Sequence, residues 1–393
     1  MQASAAVPYW RLSGFYLFYF ATLGALVPYW GLYLKSLGFD AAQIGELLAI
    51  LMATKVVAPY LWGWMADHRG RRMAIVRLAS AFAAVAFAGV FLGQGYWWLA
   101  LVMSVFSFFW NAALPQFEAT TLTHLGDRVH DYTNIRIWGS IGFILAVAGV
   151  GSLLDRLGTV LVPQTVLVLM AGIWLASLFV SERAAAHLSL GREPLLHVLR
   201  RPEVLALLAG CFLAQMSHGP YYAFYSIYLE DHGYTGGTIG QLWALGVIAE
   251  VALYLVMHRV LQRVGLRPLF LVSLALTTLR WVVIGLFPDS LPLLVLAQTL
   301  HAASFGIYHA VAIQLFHRFF VGRHQGRGQA LYSSLSFGAG GAMGSLLSGY
   351  AWEDMGGQFT YLAAAGVSAL AFVIVWRWLE VGGRPEVRPL GAR

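Results

Sequence analysis

Residues 33–49 read YLKSLGFDAAQIGELLA, and residues 228–244 read YLEDHGYTGGTIGQLWA. Tyr, Leu, Gly, Ile, Gly, Leu and Ala recur in register at an offset of 195. The same offset carries Gly70 and Arg72 onto Gly265 and Arg267, while Gln262 stands where the first copy has Asp67. A repeat with a period of half the chain predicts two similar halves, here related by an axis along the membrane normal. The division expected is residues 1–180, a linker over 181–203, residues 204–380, and a tail over 381–393.

Composition says what those halves are made of. The chain has 393 residues, 59% of them hydrophobic and 11% charged, with a mean hydropathy of +0.69. A soluble protein carries about 25% charged residues, which excludes an ordinary soluble enzyme and a nucleic-acid binder. Apolar runs between charged or Gly/Pro breaks give spans near 12–34, 44–64, 73–92, 97–118, 135–154, 162–180, 204–228, 239–257, 268–287, 292–316, 329–350 and 358–378. The fold expected is an all-α membrane protein with twelve transmembrane helices in two pseudo-symmetric six-helix halves. No charged leader with a short apolar core and small-residue cleavage site precedes the first span, so no cleaved signal is expected.

Loop by loop, 21 of the 25 Lys and Arg residues fall on one side of these spans. Lys35 and Arg156 fall on the other, and Lys55 and Arg280 lie within spans. That bias predicts cytoplasmic termini. The net charge of +7 is scattered through short loops and forms no stripe for an anionic polymer.

Charges inside spans are costly and therefore informative. Lys55 lies 11 residues past Ile44, about 16 Å along its helix, and the 195 offset puts Glu250 at the matching depth. Opposed across a central cavity, Lys55 would hold an anionic substrate group and Glu250 the coupling proton. The bland alternative is a fixed Lys55–Glu250 ion pair. Arg280 is a further deep cation, placed to neutralise Glu250 or to meet a substrate. Glu118 and Arg136, with Asn111 two turns earlier, are read as a pair at the cytoplasmic end of the cavity.

His301 and His309 are about 12 Å apart on one helix and can share a stripe. His218 sits in AQMSHGPYYAFYSIY. Each is read as a cavity residue or as a neutral interhelical hydrogen-bonding group. HExxH is absent and Cys211 is the only cysteine, so no metal site or catalytic residue is expected. GxxxxGK[ST] is absent too, which argues against ATP. The expected driving force is an ion gradient, with the proton as coupling ion, no cofactor, and membrane lipid as the surrounding partner.

Gly63-Trp-Met-Ala-Asp67-His-Arg-Gly70-Arg71-Arg72 is the sharpest local motif. Gly70 suits a tight turn, Asp67 can reach a helix terminus or a basic group, and Arg71 and Arg72 follow the positive-inside bias. We read Gly63, Asp67, Gly70, Arg71 and Arg72 as a cytoplasmic gate.

This loop resembles the signature of the major facilitator superfamily, and the twelve-span plan extends the resemblance over nearly the whole chain. Glu118, Arg136, Glu250, Arg280 and the histidines 301 and 309 are similar to the pattern of the lactose-permease branch of proton symporters. VPYWGLYLKSLGF, IRIWGSIGF, HGPYYAFYSIYLE, GVIAEV, TLRW and LHAASFGIYHA resemble the bacterial 3-phenylpropionate permease group more closely. The resemblance implies alternating access and proton coupling in the bacterial inner membrane by a functional monomer. The added cation Lys55, and the lack of a carboxylate beside the histidines, depart from the sugar permeases.

The expected function is therefore proton-coupled uptake of a small aromatic carboxylate. Its ring would meet Tyr29, Trp30, Trp110, Tyr222, Tyr225 or Trp243. The alternatives are nucleoside, sugar or other small-solute symport, using Gln215, Gln241, Gln298 and Asn111, and a non-transporting membrane receptor or assembly factor.

Overall fold

A computed structural model describes residues 7–183, 196–321 and 325–380, apart from the side chains of Asp67, Leu196 and Gln325. Twelve helical spans are resolved in it. They are α1 (Tyr9–Ser36), α2 (Ala41–Arg69), α3 (Arg72–Ala88), α4 (Tyr96–Leu125), α5 (Tyr132–Leu157) and α6 (Leu161–Leu178). After a one-turn helix at Leu196–Leu199 come α7 (Pro202–Ser217 and Gly219–Asp231), α8 (Gly236–Val264), α9 (Leu266–Leu286) and α10 (Leu291–Phe319). The last two are α11 (325–355) and α12 (357–378), separated by Gly356 at φ +81°. The expected linker and tail fall mostly outside the described residues.

Local chemistry sets the helix ends. Asp40 caps α2, accepting from Gln43 N–H at 2.7 Å, while the Gln43 side chain accepts from Asp40 N–H at 3.2 Å. At the other end Gly70 takes φ +63°, closing the helix in the left-handed conformation that a side chain resists. These signals carry α2 several residues past the apolar run expected at 44–64. Its 29 residues span about 43 Å, more than a hydrocarbon core of about 30 Å. The helix therefore extends through both interfacial layers.

Pro28 stands at the bend in α1 between Tyr9–Leu26 and Trp30–Ser36, where its missing N–H and ring cannot continue a straight helix. His218 and Pro220 mark the corresponding bend in α7. Two segments are π-helical, Ala302–Ile307 in α10 and Ser333–Gly340 in α11. Apolar periodicity does not reveal either one.

Packing among the helices relies on backbone approach. A Cβ at Gly142 would strike the Leu17 carbonyl, so α5 and α1 meet main chain to main chain. Gly340 and Gly344 play this part against Phe212 and Met216 of α7. Gly149, two turns further along α5, faces open space. Large apolar side chains point outward, with Leu145 64%, Val168 70% and Leu255 76% exposed, as a lipid-facing surface requires.

Helices from the first and second parts of the chain meet along two seams, α2 with α11 and α5 with α8. A Cβ at Gly45 would lie 2.7 Å from Gly349 Cα, and one at Gly240 would lie 2.6 Å from the Val147 carbonyl oxygen. Gly45 and Gly240 are the repeated glycines of the opening motif. These contacts gather at the face bearing loops 37–40, 158–160 and 232–235, hereafter the Arg-poor face. Lys35 and Glu230, Ala41 and Glu353, Glu46 and Tyr350, and Asp155 and Gly236 all join there. That face is closed. Toward the Arg-rich face, Tyr60 and Ser334 hydroxyls meet at 3.1 Å between α2 and α11.

Candidate functional site

The buried polar centre lies between α7, α8, α9 and α10. Arg280 of α9 is 0% exposed and sits at the middle of it. Its Nη1 donates to Ser304 Oγ at 3.0 Å and to His301 Nδ1 at 3.1 Å, and its Nη2 donates to Gln298 Oε1 at 3.2 Å. Tyr221 O–H donates to the same amide oxygen at 3.1 Å. Arg280 Cζ lies 4.2 Å from the centroid of Tyr221 and 4.8 Å from that of Trp281, so two ring faces share the cation.

The tautomer of His301 follows from its neighbour. Guanidinium nitrogens only donate, so His301 Nδ1 accepts and the neutral ring carries its proton on Nε2. That nitrogen faces Glu250 Oε2 at 3.4 Å. The chain of contacts is Arg280, then His301, then Glu250. A second proton on His301 would have to lie on Nδ1, where Arg280 already donates.

His301 and His309 share a stripe, as their spacing predicts. Phe305 lies between them, its ring nearly parallel to both at 5.4 and 5.8 Å between centroids. His309 Nδ1 is 2.9 Å from the Tyr332 hydroxyl. His218 stands apart from these hydrogen bonds. Its Nδ1 donates to the Ala214 carbonyl at 2.8 Å, leaving Nε2 a buried acceptor without a partner. Its ring meets Trp281 edge-on at 4.9 Å and stacks with Tyr222 at 5.8 Å.

The offset of 195 does not bring Lys55 to Glu250. Among the described residues no carboxylate lies within 4.0 Å of Lys55 Nζ, whose contact is Met52 Sδ at 3.6 Å. Lys55 sits where α2 passes Gly338 of α11. Arg280 likewise contacts no carboxylate directly, because His301 stands between it and Glu250. Equivalent positions share depth, but neither helical phase nor distance from the axis is fixed by the offset.

Glu118 and Arg136 share one environment without a direct ion pair. Tyr132 O–H donates to Glu118 Oε1 at 3.3 Å. Arg136 Cζ lies 3.8 Å over Phe20 and 5.6 Å over Tyr16, and Tyr16 O–H donates to Thr121 at 3.2 Å. Asn111 is turned to packing. Its amide donates to Thr54 Oγ1 at 2.9 Å and to the Leu51 carbonyl at 3.3 Å, tying α4 to α2.

The expected aromatic contacts divide. Trp243 and Tyr225 flank Tyr221 beside Arg280, at 4.4 and 5.0 Å. Tyr29 is committed to the α1–α5 packing, its hydroxyl donating to Val147 O at 2.5 Å. Trp30 packs with Tyr33 and Phe87, and Trp110 with Tyr19 and Phe106, all within the first six helices. Tyr221, Ser304, Trp281 and Tyr332 were absent from the sequence-derived set. The spacing of Ser304 from His301, one turn, was the signal available for one of them.

At the loop after α2, Gly70 makes the turn expected of it, and Arg71 is exposed. Gly63 faces the Gln116 amide, and Arg72 opens α3. The expected role of the Asp67 side chain lies outside the described residues.

Comparison with known proteins decides the family. The chain matches the MFS_1 like family over residues 9–363. It belongs to that family. An MFS_1 like chain with this architecture is a multi-pass membrane transporter of small solutes and not an enzyme. It is 26% identical over 371 residues to the probable 3-phenylpropionic acid transporter of Escherichia coli (strain K12), covering 92% of this chain and 96% of that one. It is 27% identical over 345 residues to the maltose permease of Geobacillus stearothermophilus, covering 86% of each. Among solved structures, the crystal structure of the nucleoside transporter NupG superposes with a TM-score of 0.81 at 19% identity, covering 94% of this chain and 99% of that chain. That likeness carries the major facilitator fold, with its two six-helix halves, to this MFS_1 like chain.

Proposed function

We propose that this chain is a proton-coupled symporter of a small aromatic monocarboxylate, working as a monomer by alternating access between residues 1–180 and 204–380. Its setting is the bacterial inner membrane with both termini cytoplasmic. One observation carries the substrate charge. The deep polar region holds three cations, Lys55, Arg136 and Arg280, against two carboxylates, Glu118 and Glu250, and Lys55 lacks a carboxylate partner. An unbalanced buried cation is costly, and a monoanion would compensate it. The rings of Tyr221, Tyr225 and Trp243 beside Arg280 supply an apolar wall for an aromatic body. The name of the Escherichia coli relative points the same way.

Glu250 is the proposed proton carrier, because His301 is its hydrogen-bonding partner and Arg280 fixes that partner's tautomer. One proton carried with a monoanion removes a membrane-potential penalty of about 2.3 kcal/mol per charge at 100 mV.

A second reading, uptake of a nucleoside or sugar, is favoured by the buried Gln215 and Gln298 amide nitrogens, neither of which has a partner. Uptake into sealed proteoliposomes under an imposed proton gradient separates the two. Saturable, protonophore-sensitive entry of 3-phenylpropionate or cinnamate supports the first. Entry of neutral nucleosides or sugars with no carboxylate uptake replaces it with the second, and no saturable flux of any of them defeats both.

A further inference from the structure

We propose that Asp155 and Glu353 are a matched pair of latches, each holding the Arg-poor face shut by capping the first turn of a helix in the opposite half. Gly236 and Gly237 open α8, and their N–H groups donate to Asp155 Oδ1 and Oδ2 at 2.7 and 3.1 Å. Ala41 opens α2, and its N–H donates to Glu353 Oε2 at 2.9 Å. In both helices the first turn is shared between two acceptors. The helix's own N-cap takes a deeper donor, Asp40 from Gln43 at 2.7 Å and Thr235 from Thr238 at 3.2 Å. The first N–H is left for the carboxylate from across the seam.

The pairing follows the repeat. Ala41 and Gly236 are 195 residues apart, and Asp155 and Glu353 occupy the Arg-poor ends of α5 and α11. Those are the helices that pack on α8 and α2. A helix start presents unpaired donors and a partial positive charge, so a carboxylate there gains charge-assisted bonds. These bonds exist only while the halves touch at this face. Their strength therefore stabilises one access state over the other, which is the differential contact that a conformational equilibrium responds to.

Two neighbouring contacts cross the same face. Tyr350 O–H donates to Glu46 at 2.5 Å, and Lys35 pairs with Glu230 and Asp231. The lysine cluster has side-chain exposures of 39%, 43% and 45%, where water competes for it. Asp155 and Glu353 are exposed as well, so the two caps differ from it in having backbone donors, which hold their geometry without losing side-chain freedom.

The test uses the detergent-solubilised full chain with a reporter, Ser345→Cys, in the α2–α11 seam, where Ser345 is 2% exposed. A second reporter, Ser334→Cys, sits toward the Arg-rich end of the same seam. In the D155A/E353A background, the maleimide labelling rate at the first reporter is expected to rise roughly tenfold, the effect of losing two caps. Ser334 is itself 8% exposed and bonded across the seam to Tyr60, so labelling at the second reporter is expected to stay low. Ala41→Pro is an independent check. Proline is accepted at a first helical position after an extended residue, and Asp40 has φ −72° and ψ 169°. It removes only the donor and should reproduce E353A. Unchanged labelling at Ser345→Cys in D155A/E353A overturns the proposal, and so does a rise at both reporters, which means general loosening.

Discussion

Lys35 and Glu230 are related by the 195-residue offset of the repeat, and they touch, Nζ to Oε2, at 2.9 Å. Equivalent residues of a two-fold pair can meet only close to the axis. Lys55 and Glu250 obey the same offset deeper in the membrane and do not meet. The two halves are thus joined at the Arg-poor face and differ in what they place around the axis below it.

Neutralising Lys55 should discriminate by substrate charge. In Lys55→Met, carboxylate uptake is expected to drop at least tenfold, roughly the 1.4 kcal/mol attached to a factor of ten. Uptake of a neutral analogue, 3-phenylpropanamide, should change less. Equal losses measured in proteoliposomes would remove Lys55 as the anion anchor.

Glu250→Gln should separate driving force from passage. Gradient-driven accumulation is expected to disappear while exchange of labelled for unlabelled substrate continues, because glutamine keeps a hydrogen-bonding partner for His301 but cannot exchange a proton. Accumulation at the parental level would exclude Glu250 as the proton carrier.

Arg280→Met should cost stability as well as transport. It leaves His301 Nδ1 unpaired in a buried site, at a cost of about 1–3 kcal/mol, and removes one bond each from the Gln298 oxygen, which keeps Tyr221, and from Ser304, which keeps the His301 carbonyl. A lowered unfolding temperature by fluorescence size-exclusion is the expected result. Lysine cannot reproduce three bonds with a forked geometry, so Arg280→Lys should be only partly restored.

Glycines of α5 should respond unequally. Gly142→Leu drives a side chain into the Leu17 backbone, and overpacking of this kind costs about 1–3 kcal/mol or more. Gly149→Leu enters open space and should leave the amount of folded protein unchanged. Comparable yields of both variants in detergent would contradict the close α1–α5 crossing.

Much of this architecture was legible in the sequence, because lipid imposes long apolar runs and the repeat fixes the number of halves. Gly70 and Gly265, matched by the offset, both take positive φ, and so do Gly38 and Gly233. The site was legible by residue type and less so by partnership. Arg280, Glu250 and His301 declared themselves as costly groups in apolar surroundings. That Arg280 reaches Glu250 only through His301 depends on helical phase, and the π-helical turn at Ala302–Ile307 alters the phase of α10 without changing its composition. Asn111 is ambiguous for another reason. An amide in an apolar helix is equally at home in a cavity or tying two helices together, and only Thr54 and Leu51 decide between them.

The environment of Cys211 has a practical corollary. It is the chain's one thiol, its side chain is 0% exposed, and the Tyr308 hydroxyl donates to its carbonyl at 3.2 Å. Cys211 packs in the core of the second half and not in the α2–α11 seam, so labelling of the unsubstituted chain supplies the low background against which an engineered seam cysteine is read.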